Sequence, residues 1–506
     1  MFARSAILLL RSISAIGVLC WTCEVPAEDQ LWGGFGKVDI TQYEAGPVSD
    51  PLHVRAMVLQ KGTERYAVLS LDVVAVERIG PLPKDFLRDL RAQLQKGCGI
   101  SPEHVLLSTT HCHGISAPDV LQRTVAAVEM AIASLEPIEI GVGRAKEDRI
   151  SQNRRVRLKD GKEADYRHAY SLPSDDEIES AGPIDPDVTI LKVRNLKGEA
   201  KGILYHFACH PIQGTPSGGN TADITGYASA TIEQHAGAGS VAVFLQGCGG
   251  DINPVGYKNY DQPRDAERLG NLLALTVLKA AQAIETVPNA KLSWMHRKLA
   301  MPLADLGPTI AAIQSHRDRL VEALQGTTLN FKDFQILAFA HQLAPDFPSA
   351  DKGTYLQQQM LEREGFRKLD RDNRQQLDAY LSNVRTMEAI TRLQTNLRLL
   401  KMHEKEIIDM GSRTIEIEML GLELGDLRLL TFPGELTVQI GLNIKQQFPS
   451  IPLAVCGYTN GYIYYAPTAE QLANRGYAQE DSDCLLASHW QQIYEAAMLE
   501  WLRLSR

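Results

Sequence analysis

Several things are scarce in this 506-residue chain, and each scarcity excludes a class of protein. Beyond residue 27 no stretch approaches the ~18 consecutive apolar residues that a membrane span needs, so no spanning helix is expected there. Lysine and arginine number 52 against 61 aspartates and glutamates, a formal net charge of −9. Without a basic surplus or stripe, nucleic acid is excluded as a partner. Cysteine is sparse, with eight in all. Two of them, Cys20 and Cys23, fall near the N-terminus. Cys98, Cys112, Cys209, Cys248, Cys456 and Cys484 are too few for a disulfide scaffold, and their pairing is open. No Cys-x-x-Cys pair follows residue 27, which removes thiolate zinc knuckles. There is no internal repeat, no low-complexity segment and no Gly/Ser/Pro linker long enough to mark a domain boundary.

The first residues read as a targeting segment. Arg4 supplies a positive start and Ala6 to Cys20 an apolar stretch broken by Arg11. Val25-Pro26-Ala27 offers a small-residue cleavage site. The expectation is a signal peptide over residues 1–27, an exported protein (secreted or periplasmic) and a catalytic unit over 28–506. Such a length exceeds one simple core.

From Val38 to about His296, short β-branched runs alternate with helical stretches, the pattern of layered α/β folds. Predicted strands are Tyr66–Val76, Val105–Ser108, Gly202–Ala208 and Val241–Leu245. Predicted helices are Pro83–Gln95, Val120–Leu135, Tyr227–His235 and Arg264–Ile284. Residues 305–408 differ. Leu377, Leu381, Val384, Met387, Ile390, Leu393, Leu397 and Leu400 recur every three or four positions, which predicts an amphipathic helix packed on the core within a mainly helical insertion. Strands return at Thr414–Leu422, Leu427–Phe432 and Pro452–Val455, and a helix closes the chain near His489–Leu504. The fold class is α/β, with central mixed β-sheets surrounded by helices.

Five times an apolar run breaks into polar and glycine residues. In open α/β sheets ligands bind beyond the carboxyl ends of strands, so repeated breaks of this kind predict one shared site built from distant segments. VLLSTTHCHG carries His111 and His113, which share a face if the strand continues. Both imidazoles would then aim at one ion, or one would bind metal while the other serves the substrate. GILYHFACHP carries His210 at its end, with His206 inside the run and expected to be structural. VAVFLQGCGGDINP offers Gly250, Asp251 and Asn253 around a close backbone approach. LRLLTFPGELTVQIG carries Glu435, either a helix N-terminal carboxylate or an acidic metal ligand. LAVCGYTNGYIYYAPT brings Tyr462, Tyr464 and Tyr465, with Tyr477 later. Two histidines and a carboxylate form a common catalytic zinc set with a position left for water, which points to a metallohydrolase.

Taken in order, these motifs resemble the neutral/alkaline, non-lysosomal ceramidase family. The ordered set is a KVDIT-type start at Lys37–Thr41, STTHCHG, Asn153-Arg154, FACHP, ADITGYAS, GCGGDINP, FPGE and NGYIYYAPT with a later tyrosine. The likeness covers roughly Gly34–His296 and Ile415–Tyr477. It implies one Zn2+ held by His111, His210, Glu435 and Tyr465. It implies that His113 contacts substrate and that Arg154, Tyr465 and Tyr477 stabilise an oxyanion. The substrate-binding loop would contain Gly250, Asp251 and Asn253. Asn253 stands where the family has a serine, and its amide can hydrogen-bond but cannot act as a hydroxyl nucleophile. The family's C-terminal immunoglobulin-like domain is not expected, since the chain ends soon after the last motif. The implied partner is a small-molecule or lipid amide, with contact at a membrane surface allowed and the oligomeric state open. A zinc hydrolase of another amide or ester, and a non-catalytic binder on the same scaffold, are the alternatives.

Overall fold

The structure is a computed structural model that describes residues 30–165, 173–214, 220–257, 264–349 and 351–504. The expected signal peptide, with Cys20 and Cys23, lies outside the described residues. The other six cysteines are buried and unpaired. No described helix is long and apolar enough to cross a membrane.

The larger sheet is built from β1 (Leu31–Asp39), β2 (His53–Lys61), β3 (Glu64–Leu71), β4 (Val105–Thr109), β5 (Glu136–Lys146), β6 (Asp187–Asn195), β7 (Ala200–Phe207) and β8 (Val241–Gln246). They lie in the order β8-β7-β6-β5-β1-β2-β3-β4, with Val287–Pro288 added beside β5. The β3–β4 and β7–β8 pairs are parallel and the others antiparallel, so the sheet is mixed as expected. The parallel pairs occupy its two edges. A second sheet runs β9 (Leu292–Pro302), β10 (Thr414–Leu424), β11 (Leu427–Thr431) and β12 (Leu453–Cys456), with β11–β12 parallel. Leucines 420, 422, 424, 427 and 429 of this sheet share one core with Leu106, Leu204, Val243 and Leu245 of the first. That packing brings the carboxyl ends of β4, β7, β8, β11 and β12 together.

Helices α1 (Phe86–Cys98), α2 (Val120–Ala133), α3 (Asp223–Ala236) and α4 (Ala266–Ala283) cover the larger sheet. α2 sits unusually close to β1. A Cβ on Gly34 would lie 1.9 Å from the Ala131 carbonyl oxygen, so only glycine admits the helix there. Helices α5 (Gly307–Glu322), α6 (Phe331–Leu343), α7 (Lys352–Met360) and the 46-residue α8 (Gly365–Met410) follow β9. α9 (Val438–Gln447) and α10 (Trp490–Leu504) complete the chain.

The predicted apolar stripe of α8 divides in two. Leu393, Leu397, Leu400 and Ile407 are buried against α5 and the core, whereas Leu381, Val384 and Met387 are exposed. Leu377 near its start is buried as well, so the expectation of a helix packed on the core along its whole stripe fails only over its middle. Strands β1, β2, β5, β6 and β9 went unpredicted, although β5 alternates Ile138, Ile140 and Val142. Glu435 does not begin a helix. Glu435–Leu436 form a two-residue parallel ladder with Tyr465–Ala466, and α9 starts at Val438.

Candidate metal centre

His111 lies two residues past the end of β4, in a left-handed conformation with φ of 68°. The turn is held from behind. The His111 amide donates to the Val73 carbonyl at 3.1 Å, and its Nδ1 lies 2.7 Å from the Val74 carbonyl oxygen. A non-glycine residue in this region costs of the order of 1–3 kcal/mol, strain of the kind found at functional sites. Because the strand has ended, His111 and His113 do not share a strand face. His113 is exposed, with its ring 5.5 Å from that of buried His111.

His210 stands three residues past β7. Its amide donates to Ile252 O at 2.9 Å, and its Nδ1 lies 2.6 Å from Gly249 O and 3.2 Å from Ile252 O. In both histidines a carbonyl engages Nδ1, which places the proton there and turns the Nε2 lone pair inward. Metal-ligating histidines are held in this way. Glu435 completes the set. Its Oε1 lies 3.5 Å from His111 Nε2 and its Oε2 3.1 Å from His210 Nε2. All three residues are buried, and their ligand atoms lie within 4.8 Å of one another. Two imidazole lone pairs and a carboxylate converging on one point form a donor set that a divalent metal fits.

Two tyrosines hold the carboxylate. Tyr458 Oη donates to Glu435 Oε2 at 3.2 Å, and Tyr462 Oη donates to Oε1. Burial, reinforced by the Glu435 charge, pushes both phenols well above their ordinary pKa, so both remain donors. Sequence reasoning missed Tyr458. Its only signal was its place two residues past β12, and its ring lies 4.4 Å from that of His111.

Arg154 is buried and fully engaged. Nε donates to Glu480 at 2.7 Å and Nη1 to Asn253 Oδ1 at 3.0 Å. Nη2 donates to Gly250 O at 2.5 Å and to Tyr465 Oη at 3.2 Å. Burial works against its charge, but the neighbouring Tyr465 and Glu480 outweigh that and hold it protonated. Arg154 thus stands behind Tyr465, and Asn253 serves as an acceptor for it. Gly250 donates its N–H to Leu436 O at 2.9 Å. Asp251 is a structural link: Oδ1 accepts from Val438 N at 2.8 Å at the start of α9, and Oδ2 accepts from Asn153 at 3.3 Å.

Tyr477 is placed differently from the rest. Its hydroxyl lies 3.3 Å from His316 Nδ1 on α5, and Lys162 sits 4.6 Å from its ring centroid. It lines a cavity of about 380 Å³ between α5, α8 and the Arg155–Asp165 region. His206 is buried with Nε2 3.0 Å from Val455 O, and burial, aided by Lys445, lowers its pKa to about 3.

Fold and site together define a mixed α/β protein with a buried His/His/Glu cluster, able to hold a metal, at converging strand ends. No protein-family model matches the sequence, and no curated protein matches it. Among solved structures, neutral ceramidase from Pseudomonas aeruginosa superposes with a TM-score of 0.58 at 18% identity, over 93% of this chain and 73% of that one. A ceramidase complexed with C2 superposes with a TM-score of 0.58 at 17% identity, over 92% and 74%. The chain has the fold of these ceramidases, in agreement with the resemblance read from its ordered motifs.

Proposed function

We propose that this protein is an exported zinc-dependent amidohydrolase that cleaves the N-acyl amide of ceramide or a related N-acyl lipid. One observation carries the reading: His111, His210 and Glu435 converge in a buried cluster with both histidine tautomers set by backbone carbonyls. The ceramidase fold neighbours supply the substrate class, and the Arg4-led apolar leader supports export.

Zinc bound there would supply Lewis acidity toward a carbonyl and a water activated near neutral pH. His111, His210 and Glu435 hold the ion, and Tyr458 and Tyr462 orient the carboxylate. Tyr465 Oη, hydrogen-bonded by the Arg154 guanidinium, is a polarised phenol beside the centre that can join the ligand set or donate to a developing oxyanion. His113, exposed next to His111, is available to position the substrate or pass a proton to the leaving amine. Asn253, committed to Arg154, supplies no nucleophile.

The test is hydrolysis of a series of N-acyl amides, with matched esters and peptides, before and after chelation and zinc restoration. The proposal expects N-acyl lipid cleavage that disappears on chelation and returns with zinc. Amide cleavage indifferent to chelation, or abolished stoichiometrically by serine or cysteine reagents, would overturn it. Preference for the esters or peptides would transfer the same centre to another substrate class.

A further inference from the structure

The C-terminal end of α8 reaches the backbone segments that carry the metal centre. His403 is wholly buried. Its Nε2 lies 2.8 Å from Asp483 Oδ1, its Nδ1 faces Glu406 at 3.7 Å, and its ring packs edge-on to Tyr464 at 4.5 Å. Tyr464 and Asp483 are tied to the site through their backbones. The Tyr464 carbonyl accepts from Glu435 N at 2.9 Å, and the Asp483 carbonyl accepts from Tyr465 N at 3.1 Å. Tyr464 itself is held at φ of 66°. Glu406, one turn along α8, forms an ion pair with Arg78, whose guanidinium lies 5.7 Å from the Tyr464 ring centroid. Arg78 is four residues past Val74, whose carbonyl engages His111 Nδ1. One short patch of α8 thus touches the segments behind His111, Glu435 and Tyr465 without supplying a ligand.

We propose that His403 and Glu406 are positioning residues that brace the metal centre, so that the helical segment 307–410 sets metal affinity through the 464–465 backbone and Arg78. The inference rests on the reading that the centre binds zinc. Groups one layer behind metal ligands change affinity by about 10–100-fold when removed.

The test compares His403→Ala, His403→Gln, Glu406→Gln and Tyr380→Ala in the full chain. Tyr380 lies on the same helix, more than six turns before His403, and is stacked on Phe334 of α6 at 4.4 Å. Two readouts are used: zinc affinity by competition with a chromophoric chelator, and amide exchange of residues 464–466 in metal-free protein. His403→Ala is expected to weaken zinc binding about tenfold or more and to speed exchange at Tyr465. His403→Gln, whose amide can replace the Nε2 donor, should restore most of both. Tyr380→Ala should change neither, whatever it does to the unfolding midpoint. Glu406→Gln carries the test if His403→Ala does not fold. Affinity and exchange in the His403 and Glu406 variants equal to those of Tyr380→Ala would overturn the brace. A wild-type protein that binds no zinc would refute the proposed function instead, and the exchange measurement alone would then decide the brace.

Discussion

Of two adjacent glycines in the loop after β8, one should tolerate alanine and the other should not. At Gly250, a Cβ would lie 2.9 Å from both the Glu435 and Leu436 carbonyl oxygens and 3.1 Å from the Leu436 carbonyl carbon. These atoms belong to the ladder pairing Glu435–Leu436 with Tyr465–Ala466, so no side chain can rotate away. The ladder must move by a few tenths of an ångström, and Glu435 moves with it. Overpacking of this kind costs about 1–3 kcal/mol. At Gly249 the nearest atom to a Cβ is Cys209 N at 3.4 Å, an ordinary contact, and the backbone is not left-handed. Alanine there should stay within about 0.5 kcal/mol of wild type. Urea unfolding of metal-free protein isolates the packing term, since bound zinc would add its own linkage. Zinc affinity, measured separately, should fall in Gly250→Ala and hold in Gly249→Ala, which leaves the Gly249 carbonyl on His210 intact. Equal midpoints and equal affinities in the two variants would refute the claim that close packing of this loop against Glu435 shapes the centre.

The buried titratable groups outside the centre predict opposite pH responses. His206, kept neutral by burial to a pKa of about 3, has an unfolded counterpart that protonates near 6.5. Stability should therefore fall as pH drops through that window, with a slope approaching about 1.4 kcal/mol per unit, and His206→Gln should flatten the curve. Asp50, raised to about 7 chiefly by burial, keeps its proton when folded and loses it near 3.8 when unfolded. Its contribution should be lost as pH rises from about 4 to 7, and Asp50→Asn should remove that decline in unfolding midpoints measured across pH. Asp251→Ala should cost about 1–2 kcal/mol in urea unfolding, because it removes the acceptor for Val438 N at the start of α9.

The convergence of His111, His210 and Glu435 was legible because each sits where an apolar run ends. His111, His210 and Glu435 follow β4, β7 and β11, and strand ends are where a sheet presents its chemistry. What brings them together was not legible. β9 and β10 pair across a helical segment of more than a hundred residues, a separation that local periodicity cannot bridge. Strands such as Leu292–Pro302, only half-buried over most of their length, show little alternation to read. The expectation for His111 and His113 assumed a continuing strand. A left-handed turn at His111, held by the Val73 and Val74 carbonyls, takes the pair off a shared strand face and leaves the rings edge-on at 5.5 Å, His111 buried and His113 exposed. The partners of Arg154 and Tyr477 are long-range side-chain contacts, to Glu480 and His316, that no spacing rule encodes.

The most direct test of the central claim is elemental analysis of purified wild type, His210→Ala and Glu435→Gln after dialysis against limiting zinc. The account predicts one zinc per wild-type chain and loss of most metal in both variants, because each removes a converging donor from a three-residue buried cluster. Full zinc occupancy in His210→Ala, or a wild type that binds none, would contradict it.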